Sequence, residues 1–236
     1  MDLFFGTTNP GKLRELRRLV AGLPIRVVSP HDLGEPMPEV DEDGRTFAEN
    51  AAKKASAFAR FAGMHALADD SGLCVDALGG APGVRSARWS EEEPGSEPVS
   101  PVRDLPGDAA GELGPVAGRA AQDERNNDKL LRSLERIPEA QRGAEYQAAL
   151  ALARPDGTIV ASVSGACRGR IGRERRGTEG FGYDPLFLPE GKGGRTMAEL
   201  SPEEKDAISH RGDAFRRLRP VLERLASRLD GTVPKR

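Results

Sequence analysis

Residues 143–166 read GAEYQAALALARPDGTIVASVSGA, two runs of strand-forming residues on either side of Pro155-Asp156-Gly157. Proline, aspartate and glycine in succession favour a chain reversal. The stretch therefore predicts a hairpin of two long strands, Gly143–Ala153 and Thr158–Ala166. Its longest apolar run, Tyr146 to Ala153, is strand-sized and far short of the roughly 18 residues a membrane span requires.

Outward from the hairpin the pattern becomes mixed. Leu3–Gly6 predicts a short buried strand, and Lys12–Val20 a helix with Leu13, Leu16, Leu19 and Val20 on one face. Ile25–Ser29 predicts a second strand. Thr46–Ala62 predicts a long alanine-rich helix whose start is marked by the capping-box spacing of Thr46 and Glu49. Ala66–Ala68 predicts a third strand running into Asp69-Asp70-Ser71-Gly72. Further on, Asp123–Arg136 predicts a helix, Leu186–Leu188 a short extended piece and Asp206–Leu229 one closing helix. Helices near both ends with long antiparallel strands between them make an α/β chain with a mixed sheet, not a regular doubly wound one.

Composition narrows the function classes. Apolar side chains are 37% of 236 residues, with 28 glycines besides, enough for one cored domain spanning 1–236. The net charge of −2 disfavours nucleic-acid binding by bulk electrostatics. Cys74 and Cys167 neither make a disulfide framework nor show metal-ligand spacing, and read as ordinary semi-buried thiols. The opening Met-Asp-Leu-Phe-Phe-Gly has no basic region and no small-residue cleavage site, so a cytoplasmic protein is expected. One stretch breaks the pattern. Residues 91–118 hold five prolines, five glycines and seven acidic residues against the single Arg103, a composition that predicts a loosely held surface insertion.

Three clusters carry chemistry. Gly6-Thr7-Thr8-Asn9-Pro10-Gly11-Lys12, between a strand and a helix, is a polyanion site by its helix N-terminus and lysine. It matches the first seven places of a phosphate loop, but Leu13 stands where that pattern needs a hydroxyl for Mg²⁺. In the second cluster, Asp69 and Asp70 point to opposite sides if the strand continues and converge if it turns, and Gly72 makes a turn easy. Upstream, Glu39, Asp41, Glu42 and Asp43 add hard oxygen donors of the kind Mg²⁺ prefers. Of Lys53 and Lys54 in the long helix, one can turn inward, where it needs a phosphate or carboxylate partner. The third cluster, Gly180-Phe181-Gly182-Tyr183-Asp184-Pro185 with Lys205 and Ser209-His210-Arg211, combines aromatic faces with cationic donors and suits a nucleobase. Together the clusters spell a nucleoside triphosphate site.

At this point the chain resembles a known family, the noncanonical purine nucleoside triphosphate pyrophosphatases (inosine triphosphatase, or XTP/dITP diphosphatase). The resemblance rests on Thr7-x-Asn9-x-x-Lys12, residues 44–51 (GRTFAENA), 68–73 (ADDSGL), 78–84 (LGGAPGV), 181–185 (FGYDP) and 204–211 (EKDAISHR). It covers residues 1–90 and about 120–228 in the family's order. The resemblance implies hydrolysis of ITP, dITP and XTP at the α–β bond, releasing the monophosphate and pyrophosphate and so cleansing the nucleotide pool. It implies a need for Mg²⁺ or a similar divalent ion and a homodimer. It also implies an elongated mixed sheet flanked by helices in two lobes, with the substrate in a central cleft.

Carried position by position, the resemblance gives Thr7, Thr8, Asn9, Pro10, Gly11 and Lys12 to the phosphates, with Lys54 reaching the same polyanion. Asp70 is the implied general base and metal ligand, with Glu39 and Glu42 as further metal-ligand candidates, and Ser71 touches substrate. Phe181, Gly182, Tyr183 and Asp184 flank base and sugar, while Lys205, His210 and Arg211 complete base recognition. The chain departs from the family at the 91–118 insertion, and at Trp89, where relatives carry tyrosine. Two other classes stay open: a phosphate-loop kinase or ATPase, opposed by Leu13, and a nucleic-acid-binding module suggested by the basic run Arg168–Arg176, which also reads as a strand edge with solvated arginines.

Overall fold

A computed structural model of the chain describes residues 1–92 and 115–229. In order these form β1 (Asp2–Phe5), α1 (Pro10–Leu19), β2 (Arg26–Val28), α2 (Pro30–Leu33), α3 (Phe47–Ala62), β3 (Ala66–Val75), α4 (Pro115–Ser133), β4 (Gly143–Ala153), β5 (Ile159–Ile171), β6 (Phe187–Pro189), α5 (Pro202–Ile208) and α6 (His210–Leu229). Short 3-10 segments, among them Gly83–Glu92, fill part of the connections. The strands make one mixed sheet in the order β2-β1-β3-β4-β5-β6, with β1 parallel to both β2 and β3 and β5 antiparallel to β6. The α/β class with a mixed sheet is as the sequence predicts. No helix among the described residues is long and apolar enough to cross a membrane.

The predicted hairpin forms. Its turn closes through Arg154 N–H to the Thr158 carbonyl (2.9 Å) and Gly157 N–H to the Arg154 carbonyl (2.8 Å), while the Asp156 carboxylate accepts from Thr158 N–H (2.8 Å). β5 runs five residues past its predicted end, to Ile171. Three further predictions are corrected. β3 does not end at Ala68 but carries the Asp69-Asp70 pair inside it and continues to Val75. α4 starts at Pro115, eight residues before the predicted start, because proline fits the first helical position. The closing helix is two helices, α5 and α6, broken at Ser209, whose backbone is extended.

Packing divides the chain into two compact units. The first comprises Met1–Ser71, Tyr146–Cys167 and the chain from Ser201. Strands β1, β3 and β4 are buried on both faces here, which explains their near-continuous apolar runs. Leu3, Phe5, Leu67, Leu150 and Leu152 face Leu16 of α1, Val20 at its C-terminal cap, and Phe215, Leu218 and Leu222 of α6. Phe4, Ala66, Ala68, Ala149, Ala151 and Ala153 face Ala51, Ala55, Phe58 and Ala59 of α3. Leucine and phenylalanine on one face and alanine on the other let α3 sit close. At Gly165 of β5 a Cβ would lie 2.2 Å from the Ala214 nitrogen and 2.3 Å from the His210 carbonyl oxygen, so only glycine admits the first turn of α6 there.

The second unit comprises Gly72–Glu145 and Arg168–Leu200. Its largest fully buried side chain is Arg142, which donates to the carbonyls of Ile171 (2.9 Å), Leu134 (2.6 Å) and Gly172 (2.6 Å). Arg168 and Arg170 of β5 pair with Asp76 and Glu139, but β5 lies between β4 and β6, so these members of the basic run are ion-paired on an inner strand and not at the strand edge the sequence suggested. Neither Cys74, half-buried, nor Cys167, buried, is in a disulfide among the described residues.

Most of the expected insertion, 93–114, lies outside the described residues; Glu91 and Glu92 belong to the 3-10 segment and 115–118 to α4. The segments flanking it are tied together. Ser90 N–H donates to Asn126 Oδ1 (2.8 Å), Gln122 Nε2 to Ser90 Oγ (2.7 Å), and Asn126 Nδ2 to the carbonyls of Ser86 and Ala87 (3.2 Å each). Lys129 donates to the Trp89 carbonyl (2.7 Å) and lies 4.9 Å above the Trp89 ring. These bonds join the two flanking segments directly. Replacing 93–114 with a short Gly/Ser linker is therefore expected to preserve folding and activity, with stability changed by only about 1 kcal/mol in favour of the shorter loop. Thermal unfolding and turnover of the linker variant check this; loss of most activity would make the insertion part of the working enzyme.

Candidate active site

The first unit gathers two of the three clusters and the helical arm of the third. Between β1 and α1, Asn9 is the N-cap of α1: its Oδ1 accepts from Gly11 N–H (2.8 Å) and Lys12 N–H (3.3 Å), and Pro10 occupies the first helical turn. Thr7 Oγ1 in turn accepts from Asn9 N–H (3.1 Å). The Thr-x-Asn spacing thus builds the turn itself. It also occupies two backbone N–H groups that a plain helix N-terminus would offer an anion. What remains is the buried Asn9 Nδ2, without a hydrogen-bond partner among the described residues, and the Lys12 ammonium. Thr8 and Pro10 are exposed, and Gly11 is buried.

Because β3 continues through the aspartate pair, the two carboxylates take opposite faces. Asp69 continues the Leu67 face. It accepts from Lys12 Nζ, from Arg211 Nε (3.0 Å) and from Ser71 Oγ (3.1 Å). Burial raises the cost of its charge, but Arg211 and Lys12 outweigh that and hold the carboxyl far below the usual carboxylate range. Asp70 continues the Ala68 face toward α3. Its Oδ1 accepts from Lys54 (2.8 Å) and its Oδ2 from Asn50 Nδ2 (3.2 Å). Glu42 also holds Lys54 (2.9 Å) and shares a hydrogen bond with Asp70. Burial pushes Asp70 up to about 6; Lys54 opposes this and Glu42 adds to it. Lys54 stays charged: burial works against it, but Asp70 and Glu42 raise it. Its neighbour Lys53 turns outward and pairs with Asp43, so the inward lysine is Lys54. Glu39 is exposed and outside this bonded group.

The break at Ser209 sets the helical arm. Ser209 N–H donates to the Lys205 carbonyl (2.8 Å), closing α5, while Ser209 Oγ accepts from Gly212 N–H (3.0 Å), opening α6. His210 is buried and stacks on Tyr146 of β4, centroids 4.7 Å apart and planes 9° apart. Burial first and Arg211 second keep it neutral, and its Nδ1 has no partner among the described residues. Arg211 spends its guanidinium on Asp69, on Glu15 (3.0 Å) and on Ser71 Oγ (2.7 Å), and Glu15 also accepts from Lys205 (3.0 Å).

Sequence reasoning pairs Asp69 with Asp70 but gives no site role to Asp69, Glu15 or Asn50. Glu15 carries a signal after the fact: it shares the inward face of α1 with Gly11 and Leu16, and a carboxylate on such a face needs cationic partners. Burial disfavours its charge, but Arg211 and Lys205 prevail and hold it below 4.5. A depressed carboxylate adds stability that is complete above its unfolded pKa and lost as pH falls through the folded value. Thermal unfolding of Glu15→Gln should therefore fall less steeply than wild type on acidification below pH 4.5. Parallel curves would exclude Glu15 from the acid response.

In the second unit Phe181–Asp184 forms a tight turn. Gly182 has φ +65°, and Asp184 Oδ2 accepts from Phe181 N–H (3.0 Å). Tyr183 is buried and its hydroxyl donates to the Ser86 carbonyl (2.9 Å), so Tyr183 and Asp184 secure the turn while Phe181 and Gly182 remain half-exposed. Two α4 side chains grip Gly182: Asp123 accepts from its N–H (2.8 Å) and Asn127 Nδ2 donates to its carbonyl (2.9 Å).

The chain matches the model of the Ham1 family over residues 3–105 and 103–221. A dITP/XTP pyrophosphatase of Anaeromyxobacter sp. (strain Fw109-5) is 75% identical over 226 residues, covering 96% of this chain and 98% of that protein. Among solved structures, a HAM1 protein from Coxiella burnetii superposes with a TM-score of 0.73 at 34% identity, covering 95% of this chain and 99% of that one. A nucleoside-triphosphatase / dITP/XTP pyrophosphatase from Mycobacterium abscessus gives 0.64 at 42% identity, with 93% and 100% covered.

Proposed function

The chain belongs to the Ham1 family, and from that premise we propose that it hydrolyses the noncanonical purine nucleoside triphosphates ITP, dITP and XTP to the monophosphate and pyrophosphate. The observation that carries the reading is the buried alternation of cations and carboxylates: Lys12 on Asp69, and Lys54 on Asp70 and Glu42. Two ammonium groups within electrostatic reach of each other suit a polyphosphate. A carboxyl lifted to about 6 suits a general base working near neutrality.

In this reading Asp70 takes a proton from the water that adds to the α-phosphorus. The bond from that phosphorus to the bridging oxygen breaks, and pyrophosphate leaves with the bonding pair. Lys12 and Lys54 offset the charge that grows on the leaving group, and Asn9 Nδ2 adds a neutral donor. Thr7 and Gly11 keep the turn in shape, with Thr8 and Pro10 at its exposed edge. Asp70 and Glu42 are the residues that would hold Mg²⁺, with Glu39 further out at the surface. Among the described residues no cluster of three or more metal-binding side chains occurs, and two carboxylates fit an ion that completes its shell with phosphate oxygens and water. When bound, Mg²⁺ supplies charge neutralisation to the triphosphate.

Lys205, His210 and Arg211 are read as the base-recognition arm and Phe181–Asp184 as the flanking turn, with Ser71 touching substrate. Donors facing the 6-position accept an oxo group and oppose the amino group of adenine. The reading makes the enzyme a cytoplasmic homodimer acting on the nucleotide pool.

Product analysis with Mg²⁺ and a panel of ITP, dITP, XTP, GTP and ATP tests it. Monophosphate and pyrophosphate formed preferentially from the first three are expected. Orthophosphate release, or equal use of ATP, would overturn the reading and revive a kinase-like or ATPase role for the phosphate turn.

A further inference from the structure

We propose that Asp123 of α4, seconded by Asn127, is a positioning residue for base binding that holds the Phe181–Asp184 turn in the one conformation that presents Phe181 to the base; this rests on the reading of that turn as the base-flanking element. Gly182 lies within this turn. A glycine at φ +65° has no side chain to limit its backbone, so its two flanking peptide planes set the direction of the turn. Both planes are fixed from α4. The plane before Gly182 is held by its N–H on Asp123 Oδ2 (2.8 Å), and the plane after it by its carbonyl on Asn127 Nδ2 (2.9 Å). Asp123 and Asn127 stand four apart and so share one face of the helix. With both planes held, neither dihedral of Gly182 is free to turn.

The remaining contacts brace the same turn from other sides. Phe181 N–H is on Asp184 Oδ2 (3.0 Å), and the Tyr183 hydroxyl is on the Ser86 carbonyl (2.9 Å). Asn126 Nδ2, from the same helix, also donates to the Ser86 carbonyl (3.2 Å), so α4 reaches the turn by a second route. Phe181, half-exposed, is the ring this frame carries. The buried Oδ1 of Asn127 has no partner among the described residues, an unmet acceptor that an apolar residue would not leave. Its donation to Gly182 is therefore what the asparagine adds.

The test separates this role from a general loss of fold. Wild type, Asp123→Ala, Asp123→Asn and Asn127→Leu are compared by steady-state kinetics on ITP, and by calorimetric binding of inosine monophosphate and, separately, of pyrophosphate. For Asp123→Ala, loss of a charge-assisted hydrogen bond is expected to raise KM for ITP and weaken inosine monophosphate about tenfold to a hundredfold. Pyrophosphate binding should be unchanged and kcat altered far less. Asp123→Asn keeps an acceptor oxygen for Gly182 and should restore most of the loss. Asn127→Leu should move KM the same way by less, without lowering the unfolding temperature. Unchanged KM in Asp123→Ala, or equal weakening of inosine monophosphate and pyrophosphate, would overturn the proposal. Wild type that releases no pyrophosphate from ITP would instead overturn the functional reading beneath it.

Discussion

Asp70→Asn should abolish most turnover and leave the fold intact. Asparagine has the size of aspartate and keeps an oxygen for Lys54, so the site's shape is preserved. It cannot take a proton from water, and loss of a general base costs about 10²–10⁴ in kcat. Stability should hardly move. A carboxyl lifted to about 6 by burial and by Glu42 is one whose charge the fold disfavours, so a neutral amide removes a strained charge and not a stabilising one. Measured kcat and unfolding temperature check both halves. Near-normal kcat would remove Asp70 from the chemistry. A large fall in unfolding temperature would mean that its bonds to Lys54 and Asn50 matter more to the fold than its burial suggests.

The parts of this architecture legible in the sequence are those decided locally. Pro155-Asp156-Gly157 dictates the hairpin turn, and Thr46 caps α3 by accepting from Glu49 N–H (3.2 Å), although Glu49 answers to Arg45 N–H (2.6 Å) and not to Thr46 itself. The Asp69-Asp70-Ser71-Gly72 stretch reads as the end of a strand because two carboxylates are costly inside a sheet. They become tolerable only through Lys12, Lys54 and Arg211, cations far away in sequence, and so β3 runs on unannounced. The break at Ser209 is equally hidden, since Ile208-Ser209-His210 contains neither glycine nor proline. Tyr183 and Asp184 look like ligand-facing groups by residue type, yet their polar atoms go to Ser86 and Phe181. In the same way Asn9 looks like a phosphate donor, and half of its amide caps a helix.

Asp69→Asn should do the reverse of its neighbour: the largest loss is of stability. Asp69 is buried and joins Lys12 on α1, Arg211 on α6 and Ser71 on its own strand. Removing one partner of a buried ion pair leaves the others uncompensated and costs about 3–5 kcal/mol, or roughly 6–20 °C in unfolding temperature for a chain of this size. The sign follows from the shift. A carboxyl held far below its unfolded value of 3.8 contributes stability in full at neutral pH, and that contribution disappears as pH falls through the folded value. An amide removes it at every pH. Lys12 then loses its carboxylate partner, so inorganic pyrophosphate should raise the unfolding temperature of Asp69→Asn more than that of wild type. If the variant melts like wild type, Asp69 is not the junction of α1, β3 and α6. If it melts early but pyrophosphate helps both proteins equally, Lys12 does not belong to the polyanion site.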